Sequence, residues 1–81
     1  MTFISKGFDY HIEREVGVIA ENKGGWRKEL NLVEWNGRLP TYDIRSWADG
    51  HAKMGKGISL NREELKVLYE LIGRELARQK E

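Results

Sequence analysis

The chain has 81 residues, of which 33% are charged, with a formal net charge of +1 and no cysteine. This length predicts a single domain, which buries only about 60–65% of the surface of its unfolded chain. Disulfide bonds and thiolate metal sites are excluded, so association with a second copy is the remaining common route to stability. No apolar run approaches the roughly 20 residues of a membrane span and no signal peptide opens the sequence, so we expect a cytoplasmic protein without a membrane partner.

The basic side chains are concentrated in the middle of the chain. Residues 23–62 hold eight basic and four acidic side chains, whereas residues 1–22 hold two and four, and residues 63–81 hold four and five. A central basic patch can attract a polyanion although the total charge is near zero. A mixed, solvated surface is the other explanation, and charge alone favours it.

Four strand-like segments follow a lead-in at residues 1–8. Apolar residues alternate from Tyr10 to Ala20, with Arg14 as an interruption, which is the period of a half-buried strand. A turn at residues 22–25 leads to a second strand at 26–35 and a third at 39–47, and a turn at Asp49-Gly50 precedes a fourth at 54–60. We therefore expect a sheet over about residues 9–60, within one domain.

The period changes at Asn61, from which a helix is predicted to run over about residues 61–79. Asn61 and Glu64 have the spacing of a capping box. The apolar residues that follow cover an arc of roughly 200°, whereas a helix that covers one sheet needs about 100°. The spare stripe favours a homodimer, and the alternative is a sheet that curls around the helix and covers both stripes. The predicted dimer-interface residues are Val67, Leu68, Leu71 and Ile72.

The order of four strands and one helix predicts an α+β fold in which the C-terminal helix covers one face of a four-stranded antiparallel sheet. The register of the second and third strands decides which residues the helix covers. A two-residue turn at Asn36-Gly37 would pair Leu30 with Asp43. An odd, three-residue loop, with Gly37 or a neighbour in a left-handed conformation, would instead place Leu30 on one apolar face with Ile44. The apolar face is the better core, so we predict the odd loop.

The odd register leaves the opposite face of the sheet open to solvent or to a ligand. Trp35, Arg45 and Trp47 share this face. Bases stack on exposed aromatic rings, which contributes roughly 1–3 kcal/mol per base, while nearby cations contact phosphates. The face therefore favours single-stranded nucleic acid with little sequence preference. The alternative is that one tryptophan packs at the sheet edge or against a second subunit.

The runs WRKELNLVEWNGR, YDIRSW and KMGKGISLN followed by EEL occur in this order. Their combination resembles the single-stranded-DNA-binding positive cofactor four family of transcriptional coactivators, especially its bacterial YdbC-like branch. The resemblance covers roughly half the chain. It implies a strongly curved four-stranded antiparallel sheet followed by a helix, and a homodimer with the helices in its interface. It also implies single-stranded DNA as the partner. We further expect transcription machinery as a candidate partner and a cytoplasmic, nucleoid-associated localisation.

The resemblance also implies a set of nucleic-acid-binding residues. Carried over by position, they are Lys28, Trp35, Arg38, Arg45, Trp47 and Lys56. Lys53 is a further expected phosphate contact. Trp35 stands where the eukaryotic members have a smaller aromatic residue, and Asn36 where they usually have lysine. Lys56 has the parity of Ile58, so we expect a bulge at the flanking glycines to redirect it. The connection that holds Lys53 is shorter here than in those members.

No combination of residues predicts catalysis, and we expect no cofactor and no metal. His11 and His51 are isolated, without a carboxylate or histidine at metal-ligand spacing, and each is expected to be a plain surface residue. The sequence thus predicts a non-enzymatic, single-stranded-DNA-binding dimer that acts in transcription regulation, replication or repair. The alternatives are an RNA-binding or chaperone protein and a protein-interaction module that uses the same tryptophans.

Overall fold

The structure, a computed structural model, describes residues 9–79, without the side chain of Gln79. Its elements in chain order are β1 (Tyr10–Glu21), β2 (Arg27–Trp35), β3 (Thr41–Trp47), β4 (Met54–Leu60) and α1 (Arg62–Gln79). The predicted order of four strands and one helix is confirmed. The two predicted turns contain the short 3-10 segments Lys23–Gly25 and Asp49–His51. The lead-in predicted at residues 1–8 lies outside the described residues.

The four strands form one antiparallel sheet in the order β1-β2-β3-β4. Leu30 lies opposite Ile44, so the two share a face, as the core argument predicts. Glu29 lies opposite Arg45 on the other face, which also carries Trp47. The odd register is therefore confirmed.

The turn after β2 keeps the local geometry of an Asn-Gly hairpin. Asn36 and Gly37 have φ values of 50° and 75°, and the backbone N–H of Arg38 donates to the carbonyl of Trp35 over 2.9 Å. Two consecutive left-handed residues closed by this bond are typical of a type I′ turn. The prediction that Gly37 or a neighbour is left-handed is confirmed.

The connection between β2 and β3 is longer than the predicted three-residue loop. The last pair between these strands is Val33 with Thr41, so residues 34–40 separate the paired positions. Pro40 has no N–H to donate to the ladder, and Glu34 and Trp35 at the end of β2 pair only with β1. The predicted loop length is wrong, whereas the odd parity that decides the faces is right.

Strand β1 does not keep the simple alternation that its sequence predicts. Its pairing with β2 shifts at three places, the first beside Arg14, where the alternation is interrupted. Each shift moves the residues that follow to the other face. The two shifts before Val18 cancel, so Val18 returns to the face of Ile12, and Ile19 lines a groove on the opposite face together with Leu30 and Ile44. Such bulges also increase the twist of a strand, so they favour a sheet that curls.

The polar and aromatic face of the sheet is buried and forms its inner face. Glu29, Asn31, Val33, Asp43 and Trp47 are each between 0% and 2% exposed. The helix lies on the opposite face, so it does not cover these residues. The prediction that this face is open to solvent is therefore wrong, and the sheet must curl over it.

The helix begins with the predicted capping box. The backbone N–H of Glu64 donates to Asn61 Oδ1 over 2.8 Å, and the backbone N–H of Asn61 donates to Glu64 Oε1 over 2.9 Å. These two bonds satisfy donors that a helix start leaves without intrahelical partners. The sequence signal at Asn61 is confirmed in position and in geometry.

The helix covers the apolar face of the sheet only in part. Among its residues with described side chains, Leu65 and Leu68 are half-buried and the others are exposed. The radius of gyration is 15.0 Å, whereas a compact chain of this length has a value of about 11–12 Å. The chain is therefore extended for its size, and an apolar groove stays open between sheet and helix.

Candidate functional site

The curvature of the sheet brings both ends of β2 to one tyrosine. Trp35 pairs with Tyr10 at one end of β2, whereas Trp47 pairs with Arg27 at the other end, about 26 Å away along a flat strand. The Tyr10 ring centroid is nevertheless 5.8 Å from that of Trp35 and 5.6 Å from that of Trp47. The inner face therefore closes into one aromatic cluster, formed by Tyr10, Trp35 and Trp47.

Trp47 is the buried member of the aromatic cluster. It is 1% exposed, and the imidazole of His51 meets its ring edge-on, with centroids 4.9 Å apart. A ring enclosed in this way packs as core and offers no face to a base. The prediction that Trp47 lies open to a ligand is therefore wrong, although its predicted side of the sheet is right.

His51 closes the inner face from the loop before β4. Its Nε2 atom lies 2.9 Å from Glu29 Oε1, and its backbone is left-handed, with a φ of 59°. The prediction that His51 is a plain surface residue is wrong. Twenty-two positions separate His51 from Glu29. No local sequence signal connects two residues at that distance, so only the curvature of the sheet reveals the pair.

Three polar side chains surround the Glu29 carboxylate on the buried face. Asn31 Nδ2 donates to Oε1 over 3.0 Å, and Arg27 Nη2 lies 3.2 Å from Oε2, besides the contact with His51. Burial raises the pKa of Glu29, but the hydrogen bonds of Asn31, His51 and Arg27 and the charge of His51 outweigh it, so the pKa is lowered. The carboxylate is thus held ionised inside the sheet.

Arg45 links the buried face to Trp35. Its guanidinium forms a bidentate pair with Asp43, with Nε and Nη2 each 2.7 Å from a carboxylate oxygen. Its Cζ atom lies 4.8 Å from the centroid of the Trp35 ring, within the range of a cation–π contact. Trp35 itself is half-buried, so it is the tryptophan of the cluster that reaches the rim of the curved sheet.

The remaining predicted cations are exposed. They are Lys28 in β2, Arg38 in the turn after Trp35, Lys53 before β4 and Lys56 within β4. Within residues 9–79 none of these four forms an ion pair with a carboxylate. The pairing of β3 with β4 shifts beside Lys56, so the predicted bulge is confirmed. These cations remain available for an external anion.

The predicted dimer residues lie on the helix. Val67, Leu71 and Ile72 are exposed, and Leu68 is half-buried in the groove against the sheet. The part of the chain that the structure describes has no cluster of three or more metal-ligating side chains. It also has no helix with the length and apolar character needed to cross a membrane.

The fold and this site define an α+β protein with a curved antiparallel sheet, a tryptophan at the rim of that sheet and exposed basic side chains. The profile of the family described as Transcriptional Coactivator p15 (PC4) matches residues 22–71. A protein of Treponema pallidum (strain Nichols), named as an uncharacterized protein, is 39% identical over 69 residues, which cover 85% of this chain and 81% of that protein. The chain belongs to the Transcriptional Coactivator p15 (PC4) family, which confirms the resemblance. Membership suggests nucleic-acid binding and a coactivator-like function.

Proposed function

We propose that this chain is a non-enzymatic protein that binds single-stranded DNA with little sequence preference. The observation that carries the proposal is the half-buried Trp35 ring, held at the rim of the sheet against the Arg45 guanidinium. A base stacked on an aromatic ring contributes roughly 1–3 kcal/mol, whichever base it is. Family membership over residues 22–71 supports nucleic acid as the ligand.

Phosphate contacts come from the exposed cations around this ring. Arg38 is three residues after Trp35 in the same turn, so it can reach a phosphate beside a base stacked on that ring. Lys28, Lys53 and Lys56 would extend the phosphate contacts along the nucleic-acid strand. Each released counterion makes binding more sensitive to salt, so four such contacts predict a steep salt dependence.

Trp47 takes a different role from the one that the resemblance implies. Because its ring is enclosed by Tyr10 and His51, we propose that it supports the fold of the inner face and leaves stacking to Trp35. The binding residues proposed for a direct contact are therefore Lys28, Trp35, Arg38, Lys53 and Lys56.

The functional unit is proposed to be a homodimer. The groove between sheet and helix has a volume of about 480 Å³ and is lined mostly by apolar side chains, among them Ile19, Leu30 and Leu68. Beyond it the helix exposes Val67 and Leu71. A small domain without cysteine gains most from covering such surfaces, and a second copy of the same helix offers a matching apolar stripe.

The process that uses this activity is proposed to be transcription regulation, replication or repair in the cytoplasm, in association with the nucleoid. Single-stranded DNA is exposed in each of these processes, and the coactivator description of the family supports the first. Transcription machinery is the protein partner that this role would need.

Competition between unlabelled oligonucleotides for the protein tests the proposal. A labelled oligo-dT bound at low salt should be displaced by unlabelled oligo-dT, and much less well by duplex DNA of the same length. Displacement by matched RNA at lower concentration than by DNA would instead show an RNA-binding protein. If neither the DNA nor the RNA oligonucleotide binds at low salt, the protein-interaction alternative replaces the proposal.

A further inference from the structure

We propose that Arg45 is a positioning residue for Trp35, and that it does not contact phosphate. The ion pair with Asp43 holds the guanidinium against the indole and so fixes the ring on which a base stacks. This inference rests on the proposed function, because it assigns a role within the same site. It departs from the resemblance, which implies that Arg45 binds the nucleic acid.

The hydrogen bonds of Arg45 leave little of the guanidinium for a ligand. Nε and Nη2 donate to the two oxygens of Asp43, and Nη1 donates to the carbonyl of Gly55 over 3.2 Å and to the sulfur of Met54 over 3.4 Å. An arginine has five N–H donors. Four of them are used within the chain, whereas a bidentate grip on a phosphate needs two.

The charge of Arg45 is also compensated where it lies. Asp43 is 0% exposed and accepts a further hydrogen bond from Ser59 Oγ over 3.1 Å. The Arg45 side chain is only 15% exposed. A buried carboxylate cannot release its cation without leaving an uncompensated charge inside the protein, which is strongly unfavourable. The pair therefore stays closed when a polyanion approaches.

Strand β4 holds the stem of Arg45 in place. Gly57 lies directly opposite Arg45, and a Cβ atom there would collide with Arg45 Cβ and with the carbonyl oxygen of Ile44. The backbone of β4 therefore lies flat against the arginine because residue 57 has no side chain. This contact fixes the stem, while Asp43 fixes the head.

The contact with Trp35 depends on the curvature of the sheet. Arg45 pairs with Glu29, which is six residues before Trp35 on β2, or about 20 Å along a flat strand. The guanidinium carbon is nevertheless 4.8 Å from the indole centroid. Arg45 thus bridges the inner face from β3 to the rim, and its position determines how the Trp35 ring is presented.

The salt dependence of oligo-dT binding separates positioning from phosphate contact. The wild type and the variants Asp43→Asn, Arg45→Lys and Arg38→Gln would be titrated with a labelled oligo-dT at several salt concentrations. Arg38→Gln is the matched control, and it should reduce the slope of log affinity against log salt by about 0.7. Arg45→Lys keeps the charge but loses the bidentate geometry, so it should lower affinity about tenfold with the wild-type slope.

The variant Asp43→Asn distinguishes the two roles, because they predict opposite changes in the affinity for oligo-dT. If Arg45 positions Trp35, loss of the carboxylate loosens the guanidinium and affinity should fall severalfold with the slope unchanged. If Arg45 contacts phosphate, the same change frees a cation, and affinity and slope should both rise. A rise for Asp43→Asn, or wild-type affinity for Arg45→Lys, would overturn the proposal.

Two further measurements keep the test decisive. Should Asp43→Asn fail to fold by circular dichroism, Ser59→Ala removes one hydrogen bond from the same carboxylate and should lower affinity about twofold at an unchanged slope, whereas wild-type affinity would contradict the proposal. Trp35 emission in the DNA-free protein, read with Trp26 and Trp47 replaced by phenylalanine, should shift in Arg45→Lys. If the wild type does not bind DNA, the proposed function fails, while this emission shift still decides whether Arg45 positions the ring.

Discussion

Arg45 and Gly57 lie directly opposite each other on β3 and β4, and the space that a side chain at Gly57 would occupy is filled by the arginine and by the carbonyl oxygen of Ile44. The close approach is what allows β4 to lie against the stem of Arg45. Residue 57 therefore has to be glycine because a side chain would clash. A left-handed backbone is not the reason, because the φ of Gly57 is not in that region.

Gly57→Ala should destabilise the fold by about 2–4 kcal/mol, because either the β4 backbone or Arg45 has to move. Urea unfolding followed by circular dichroism measures the change. Gly17→Ala is the matched control, since it is also in a strand and a Cβ atom there has no heavy atom within 4 Å. Its stability should stay within about 0.5 kcal/mol of the wild type. Equal stability of the two variants would show that β4 does not approach Arg45 so closely.

Trp47→Ala should destabilise the protein by about 3–5 kcal/mol, because the ring is enclosed by Tyr10 and His51 and its removal leaves a cavity. For a small domain this loss can exceed the whole free energy of unfolding. Trp35→Ala should cost less, since that ring is only half-buried. Comparison of the two urea midpoints measures the difference. A folded Trp47→Ala with a wild-type midpoint would show that Trp47 is exposed.

Glu29 should make the fold sensitive to acid. Its pKa in the folded protein is lowered below the ordinary value of 4.5, so ionised Glu29 stabilises the fold above that value. This contribution is lost as the pH falls through the lowered folded pKa. Glu29→Gln should therefore be less stable than the wild type by about 1–3 kcal/mol near neutral pH, with a difference that shrinks as the pH falls below 4.5.

Urea midpoints of both proteins, measured from about pH 7 to about pH 3, give this difference. His51→Leu is the companion variant, because it removes the side chain whose hydrogen bond and charge both lower the pKa of Glu29. It should move the acid transition of the protein to higher pH. A difference between wild type and Glu29→Gln that stays constant with pH would contradict the account of this pair.

Leu71→Glu should convert the proposed dimer into a monomer, because it places a charge in the exposed apolar stripe of the helix. Sedimentation equilibrium at tens of micromolar measures the mass. Glu70→Gln is a control on the same helix turn, and it should leave the mass of the dimer unchanged. A wild-type monomer at this concentration would exclude the proposed interface.

Much of the fold could be predicted because its signals are local. The capping box at Asn61 depends on residues three apart, and the left-handed turn at Asn36-Gly37 depends on neighbours. The faces of β2 and β3 could also be predicted, since only the odd register gathers apolar residues such as Leu30 and Ile44 on one side.

The inner face could not be predicted, because its contacts depend on how strongly the sheet curls. Alternation assigns a residue to a face, but it does not say whether that face is open or folded over itself. Tyr10 begins β1 and His51 lies between β3 and β4, and both enclose Trp47. The resemblance implies a strongly curved sheet, but nothing in the sequence says which face the curvature encloses, so the prediction that Trp47 is open to a ligand is wrong.

The most direct test of the proposed function is the dissociation constant of a labelled oligo-dT at low salt, measured by anisotropy for the wild type and for Trp35→Ala. The account predicts that the wild type binds and that the loss of one stacking ring weakens binding by about 5–150-fold. Trp47→Phe, which keeps an aromatic core, should bind within about twofold of the wild type. No binding by the wild type, or equal affinity of wild type and Trp35→Ala, would contradict the account.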